Sequence, residues 1–336
     1  MLQVNIHGPD DVRLDAAREA RAGADDIVVR TAACGICGSD VGYVEMGGMP
    51  VATAGPMALG HEFSGTVVEL GERVEGIHAG MRIVVDPMSA DNIGNGGPEG
   101  AFTPRLVVRN ARLGVNVHAI PQTMSFERAA LVEPLSVAMH AVNTGLPTPA
   151  DKVVIFGAGC IGLGAIVALR HKGVRDIAVV DLSDERLRRA AELGANTCIN
   201  GVRDNTFERL SGAHGHADLY GMPTVGSTLF IDAAGVTPVF EEIVRIAPVG
   251  ARVVVVGLHK KPAPLDLQLL LMKELAIKGS IGYPREFPEV IGMLSDTALD
   301  VDPIISHRFP FPQFMAALAM ARDTTHSAKV MVTFDV

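Results

Sequence analysis

Three short stretches of the 336-residue chain hold side chains of the types that bind metals. They are Cys34 and Cys37 in CGICGSD, His61 and Glu62 in GHE, and Glu133 and His140 in EPLSVAMHA. A catalytic zinc takes three protein ligands drawn from thiolate, imidazole and carboxylate, and keeps a fourth position open. Such an ion would polarise an alcohol oxygen. Each stretch also has a plainer reading. An isolated GHE is a hydrogen-bonded histidine at a strand start with its glutamate in water. Cys34 reads as a small buried residue and His140 as a packed helix residue. The chain has only four cysteines (Cys34, Cys37, Cys160, Cys198), so a second, four-cysteine zinc site has no ligands.

A second chemistry sits in VVIFGAGCIGLG. Gly157, Gly159 and Gly162 have the Gly-x-Gly-x-x-Gly spacing, directly after an apolar run and at the start of a helical pattern. The first glycine permits a tight turn, the second lets backbone approach a pyrophosphate, and the third lets helix and strand pack closely. Cys160 and Ile161 fall where the helix N-terminus faces the anion. Asp181 ends the next apolar run, IAVVD, about twenty residues on, where a carboxylate suits a ribose diol and repels a 2′-phosphate. The expected cofactor is therefore NAD. Arg186 lies close by on the following helix and counts as a candidate cofactor contact, although its plainer reading is a solvated surface charge. The nicotinamide end is expected near Gly257 and Ser280–Ile281, at the far ends of later strands. This context replaces a membrane-span reading of the apolar run 153–169, which is also short for a span.

Two kinds of element must position these groups. Up to about residue 148, short β-rich runs such as DDIVVRTAAC, SGTVVELG and MRIVVDP alternate with turns that contain glycine and proline, a rhythm of a twisted β domain. GLPTPADK then supplies a turn-rich link. From Lys152, apolar strands alternate with helical periodicity, which predicts βαβ units and a parallel sheet. The fold class is α/β, with residues 148–285 forming the parallel-sheet domain and 1–147 plus 286–336 a discontinuous β-rich domain. A net charge of -9 and the lack of basic runs exclude nucleic acid and an anionic membrane as expected partners. The few cysteines and the mixed, acidic opening MLQVNIHGPDDVRLDAAREA predict a reduced, cytoplasmic protein.

Taken in order, AACGICGSDVGY, GHEFSGTVVELGERV, EPLSVAMHA, GAGCIGLGAIVAL, VVDLSDERLRRAAELGA and ALDVDPIISHRFPF resemble the zinc-dependent medium-chain alcohol dehydrogenases. The likeness is greatest to the branch of sorbitol, butanediol and threonine dehydrogenases. It implies a GroES-like catalytic domain, a Rossmann domain, one catalytic zinc and hydride transfer from a secondary alcohol to NAD. It implies Cys37 and His61 as zinc ligands. Glu62 and Glu133 would share the carboxylate role, one bound directly and the other through water or by exchange. Ser39 would match the hydroxyl that passes the alcohol proton towards solvent. A small-molecule alcohol is the expected partner, and the chain is expected to form a homo-oligomer, dimer or tetramer. Substrate choice would fall to Tyr43, Met46, Met49 and Phe102.

Two departures stand out. The lobe that often carries a structural zinc reads DPMSADNIGNGGPEGAF here, without cysteine, so no structural zinc is expected. Gly42 stands where the polyol branch typically has histidine, which leaves the relay beyond Ser39 open. The rival functions are a zinc-free NADPH quinone or enone reductase on the same fold, and a non-catalytic dinucleotide-binding protein.

Overall fold

The computed structural model describes residues 1–49 and 55–335. The chain divides into two compact units. Met1–Pro134, Phe287–Asp323 and Lys329–Val336 form the first, and Leu135–Glu286 with Thr324–Ala328 the second. The first crossing therefore falls within the helix Val132–Thr144 and not in the turn-rich link after it. The reason is packing. An added Cβ on Gly164 would lie 2.6 Å from the Leu135 side chain and 2.9 Å from Ala138. The helix thus rests on the Rossmann helix Cys160–His171 well before the link begins.

The first unit is built on a seven-stranded sheet. Its order is Ile305–Pro310, Lys329–Thr333, Ile27–Ile36, Glu62–Leu70, Arg82–Val85 and Val117–Ala119, with Arg105–Val108 also paired to Ile27–Ile36. The run IVVRTAACGI is β-rich and buried along almost its whole length, as a central strand should be. Its register sets Gly35 opposite Glu62 on one side and opposite Met331 on the other. The chain's C-terminal strand and the strand that begins at Glu62 thus flank the same central strand from opposite sides. Ile27, Val29, Phe63, Val67 and Ile83 fill the core beneath it. Phe102 belongs to that core as well, fully buried and 4.7 Å from the Phe314 ring, so it is a packing residue and not a substrate-facing wall.

The second unit is a six-stranded parallel sheet. Its order is Thr197–Asn200, Asp176–Asp181, Lys152–Phe156, Leu229–Asp232, Arg252–Val255 and Ala276–Gly279. The four inner strands are largely apolar runs because helices cover both faces of such a sheet, whereas the edge strands Thr197–Asn200 and Ala276–Gly279 are more polar. The order reverses at Lys152–Phe156, and ligands of open α/β sheets bind outside the carboxyl ends at that point. Among the described residues no helix is long and apolar enough to cross a membrane.

Candidate active site

Cys37 closes the central strand Ile27–Ile36 and stands at the N-cap of the helix Gly38–Met46. His61 directly precedes the strand that starts at Glu62. Sheet pairing makes these two chain ends neighbours. Ligand atoms of Cys37, His61 and Glu62 all lie within 4.8 Å of one another, the one group of three such residues among those described. Glu133, on the first turn of the helix Val132–Thr144, is buried but not part of that group. Cys34 is buried in the strand. His140 is occupied elsewhere, with Nδ1 2.8 Å from Glu286 Oε1.

Two charged residues that sequence reasoning did not single out hold the cluster. Asp40 is fully buried. Its Oδ2 accepts the Cys37 N–H at 2.8 Å, and its Oδ1 faces His61 Nδ1 at 3.4 Å. Neither Asp40 Oδ1 nor His61 Nδ1 has another hydrogen-bond partner. Metal-bound histidines commonly give their second ring N–H to a carboxylate, which fixes tautomer and orientation. An orphaned, buried carboxylate oxygen facing an orphaned ring nitrogen fits that role, and it leaves His61 Nε2 for an ion. Burial lowers the His61 pKa, but Asp40 and Cys37 outweigh it, so the imidazole's pKa lies well above its ordinary value.

The second is Lys329. Its ammonium meets both Glu62 oxygens, at 2.6 and 2.5 Å, and donates to Ile36 O at 3.0 Å. The Lys329 and Glu62 side chains are only 3% and 1% exposed. Gly35 makes the room: a Cβ there would sit 2.2 Å from Glu62 Oε2 and 3.0 Å from Lys329 Cδ. The pair makes a glutamate tolerable at this depth, since a lone buried carboxylate would protonate or destabilise the fold. Thiolate, imidazole and carboxylate are the donor types zinc takes, and the buried Asp40 and Lys329 complete a site into which such an ion fits.

Ser39 lies half-buried on the first turn of the helix that Cys37 caps. Tyr43, one turn further along that helix, donates to Asn95 Oδ1 at 3.3 Å, and burial pushes its phenol up in pKa. A Cβ on Gly42 would meet nothing within 4 Å, so the missing histidine leaves open space. Met46 is exposed and Met49 packs partly against the core. The cysteine-free lobe is closed by its own hydrogen bonds. Asp86 accepts from Met88 N, Ser89 N and Ser89 Oγ, while Ala90 and Ile93 anchor it in the core.

In the second unit a cavity of about 410 Å³ is lined by Gly157, Gly159, Asp181, Arg186, Ala233 and Ala234 among others. A Cβ on Gly162 would lie 1.8 Å from Gly157 O, so only glycine lets the helix start this close to the turn. Cys160, Ile161 and Gly162 belong to the helix that begins there. Asp181 accepts from Ala158 N at 2.6 Å and Ser183 N at 2.8 Å, which fixes the carboxylate at the cavity wall. Arg186 is half-buried and lines the same cavity, its Nε donating to Ser327 O at 2.8 Å, so it is not the solvated charge that its position on a helix suggests. Gly257 follows the strand Arg252–Val255, and Ser280 and Ile281 follow Ala276–Gly279.

These folds and this donor set define a class: a GroES-like unit with metal-binding chemistry joined in one chain to a dinucleotide-binding sheet. Family models agree. Residues 23–122 match the alcohol dehydrogenase GroES-like domain and residues 160–296 the zinc-binding dehydrogenase domain. The chain is 30% identical to sorbitol dehydrogenase of Bos taurus over 352 residues, covering 99% of this chain and 96% of that one. The crystal structure of 2R,3R-butanediol dehydrogenase from Bacillus subtilis superposes with a TM-score of 0.87 at 27% identity, covering 99% of both chains. A zinc-binding dehydrogenase from Sinorhizobium meliloti 1021, bound to NADP, gives a TM-score of 0.86 at 25% identity over 99% of this chain and 98% of that one. The chain belongs to the zinc-dependent medium-chain alcohol dehydrogenase family. It is an alcohol oxidoreductase, and its family implies zinc and a nicotinamide cofactor.

Proposed function

We propose that the chain is a zinc-dependent, NAD-linked dehydrogenase of secondary alcohols, with a polyol, a sugar-derived hydroxyl or a vicinal diol as substrate. The observation that carries this reading is the convergence of Cys37, His61 and Glu62 within 4.8 Å. When bound, zinc supplies a Lewis acid that lowers the pKa of the alcohol, and the nicotinamide supplies a hydride acceptor. Cys37 and His61 hold the ion, and Asp40 orients His61. Glu62 and Glu133 share the carboxylate role. Lys329 pairs with Glu62, so this carboxylate is not a bare buried charge when no ion is held there. Ser39 takes the alcohol proton and passes it outward, with Tyr43 beside it. One zinc per chain is expected, because the Asp86 lobe has no cysteine.

Gly157, Gly159 and Gly162 admit the pyrophosphate to the first turn of the helix, where Cys160 and Ile161 present backbone N–H groups. Asp181 accepts from the ribose diol. The zinc-free reductase reading finds no use for a Cys–His–Glu cluster, its histidine and glutamate buried, backed by Asp40 and Lys329. Similarity to sorbitol and butanediol dehydrogenases supports polyols and diols over ethanol.

The test is steady-state kinetics on a panel of alcohols with NAD and with NADP. Diols and polyols should give higher kcat/KM than primary alcohols of equal carbon number, and NAD should be preferred. A close like-charge clash of roughly 1–3 kcal/mol at Asp181 would separate the cofactors by several-fold to a hundredfold, and Asp181→Ala should narrow that gap. Equal kinetics with both cofactors, or a clear preference for ethanol, would count against this assignment.

A further inference from the structure

We infer that His259 is a positioning residue of the dinucleotide crevice. Paired with the buried Asp232, it clasps the turn after one sheet strand to the turn after the next, and so fixes the wall along which the nicotinamide half of the cofactor lies. The inference rests on the dehydrogenase reading above.

Asp232 ends the strand Leu229–Asp232 and is fully buried. Its Oδ1 accepts from Ala234 N at 3.1 Å and Gly235 N at 2.9 Å, which shapes the turn that follows it. Its Oδ2 lies 2.8 Å from His259 Nε2. A buried carboxylate needs donors, so His259 Nε2 carries the proton and donates. The ring is fixed from a second side: its edge meets Phe240, on the helix Thr237–Ile246, with centroids 6.1 Å apart and planes at 84°.

The backbone between the paired groups leaves no slack. Val256 N and Gly257 N donate to Asp232 O at 3.0 and 2.8 Å. A Cβ on Gly257 would lie 2.3 Å from Gly235 N, and one on Gly235 would lie 2.8 Å from Leu258 N. Two turns in direct backbone contact, with glycine against glycine, are therefore joined by one side-chain pair, its carboxylate fully buried and its imidazole partly so.

The first turn has a place in the cofactor site, because Ala233, Ala234 and Val236 line the cavity that also holds Gly157 and Asp181. Asp181 takes the adenosine end. The rest of a dinucleotide extends past the switch point over the carboxyl ends of Leu229–Asp232 and Arg252–Val255, which are neighbours in the sheet. Leu258, between Gly257 and His259, is 83% exposed there, an apolar side chain held out by a fixed backbone. An ordered apolar surface beside the crevice suits a flat nicotinamide ring.

The test compares the full-length, zinc-loaded protein with His259→Leu, which cannot donate, and His259→Gln, which can. Each is titrated with NADH, followed by the coenzyme's own fluorescence, and with ADP-ribose, which lacks the nicotinamide. Loss of a hydrogen bond to a buried carboxylate should raise the NADH Kd of His259→Leu about tenfold, with ADP-ribose binding unchanged and His259→Gln near wild type. If His259→Leu does not fold, His259→Ala carries the same expectation. Unchanged NADH binding in the variant that cannot donate would overturn the inference, as would equal weakening of NADH and ADP-ribose. Failure of the wild type itself to bind NADH would instead sink the dehydrogenase reading, and the clasp with it.

Discussion

Lys329 and Glu62 stand 267 positions apart in sequence, yet their charged ends meet in the interior of the first unit. Lys329→Met should leave the Glu62 carboxylate buried without its cation and cost roughly 3–5 kcal/mol, read as a lower melting temperature of chelator-treated protein. The double variant Glu62→Gln/Lys329→Met should regain much of the loss. An unchanged melting temperature in the single variant would mean that the pair does not carry the burial of Glu62. Cys37→Ser and His61→Ala each remove a proposed ligand, so metal content by elemental analysis should fall towards zero and activity with it. Asp40→Asn should keep the fold and weaken metal affinity about 10–100-fold, as loss of an orienting carboxylate does; retention of wild-type affinity would refute its role. Cys37, His61 and Glu62 were legible as metal-binding residue types, and the family resemblance singled them out together; the fold brings their ligand atoms within 4.8 Å. Asp40 sat unremarked in CGSD. Lys329, in a plain strand run, gave no local sign, because its partner is chosen by sheet pairing and not by spacing.

At the scale of elements, Asp151 shows how the parallel sheet is tied at its other end. It accepts from Thr148 N at 2.6 Å, Thr148 Oγ1 at 2.9 Å and Thr228 Oγ1 at 2.6 Å, and pairs with Arg252. One carboxylate thus joins the approaches to the strands Lys152–Phe156, Leu229–Asp232 and Arg252–Val255. Burial pushes its pKa up, but the bonds from Thr228 and Thr148 and the Arg252 charge outweigh burial and hold it below the ordinary aspartate value. A depressed folded-state pKa contributes stability above the unfolded value, and that stability is lost as pH falls through the folded value. Asp151→Asn should therefore cost about 1–3 kcal/mol at neutral pH, and progressively less as the pH is lowered from about 4 through the depressed folded value. Urea unfolding at both pH values checks this, and a cost that is the same at both would contradict it. The strands and the glycine turn were readable from apolar runs and from the Gly-x-Gly-x-x-Gly spacing. The turn-rich link drew attention from the helix before it, whose packing on Gly164 draws the division of units earlier. Arg186 looked solvent-facing because helix periodicity does not reveal that a later segment, at Ser327, comes back to meet it.

The whole molecule depends on the chain's return to its first sheet. Lys329–Thr333 pairs with Ile27–Ile36, and through it Lys329 reaches Glu62. The return of the C-terminal segment was visible in HRFPF and KVMVTF, but its purpose was not. Phe102, expected among the residues that choose substrate, instead pairs with Phe314, more than two hundred residues later, in the core.

Alcohol oxidation is proposed to depend on an ion held by the Cys37–His61–Glu62 cluster. A decisive experiment follows NADH formation from a vicinal diol while zinc is removed by a chelator and then added back, with metal content recorded at each step. Activity should track bound zinc, saturating at one zinc per chain, with none of this response in His61→Ala. Full activity in protein stripped of metal, or saturation at two zinc ions per chain, would contradict this.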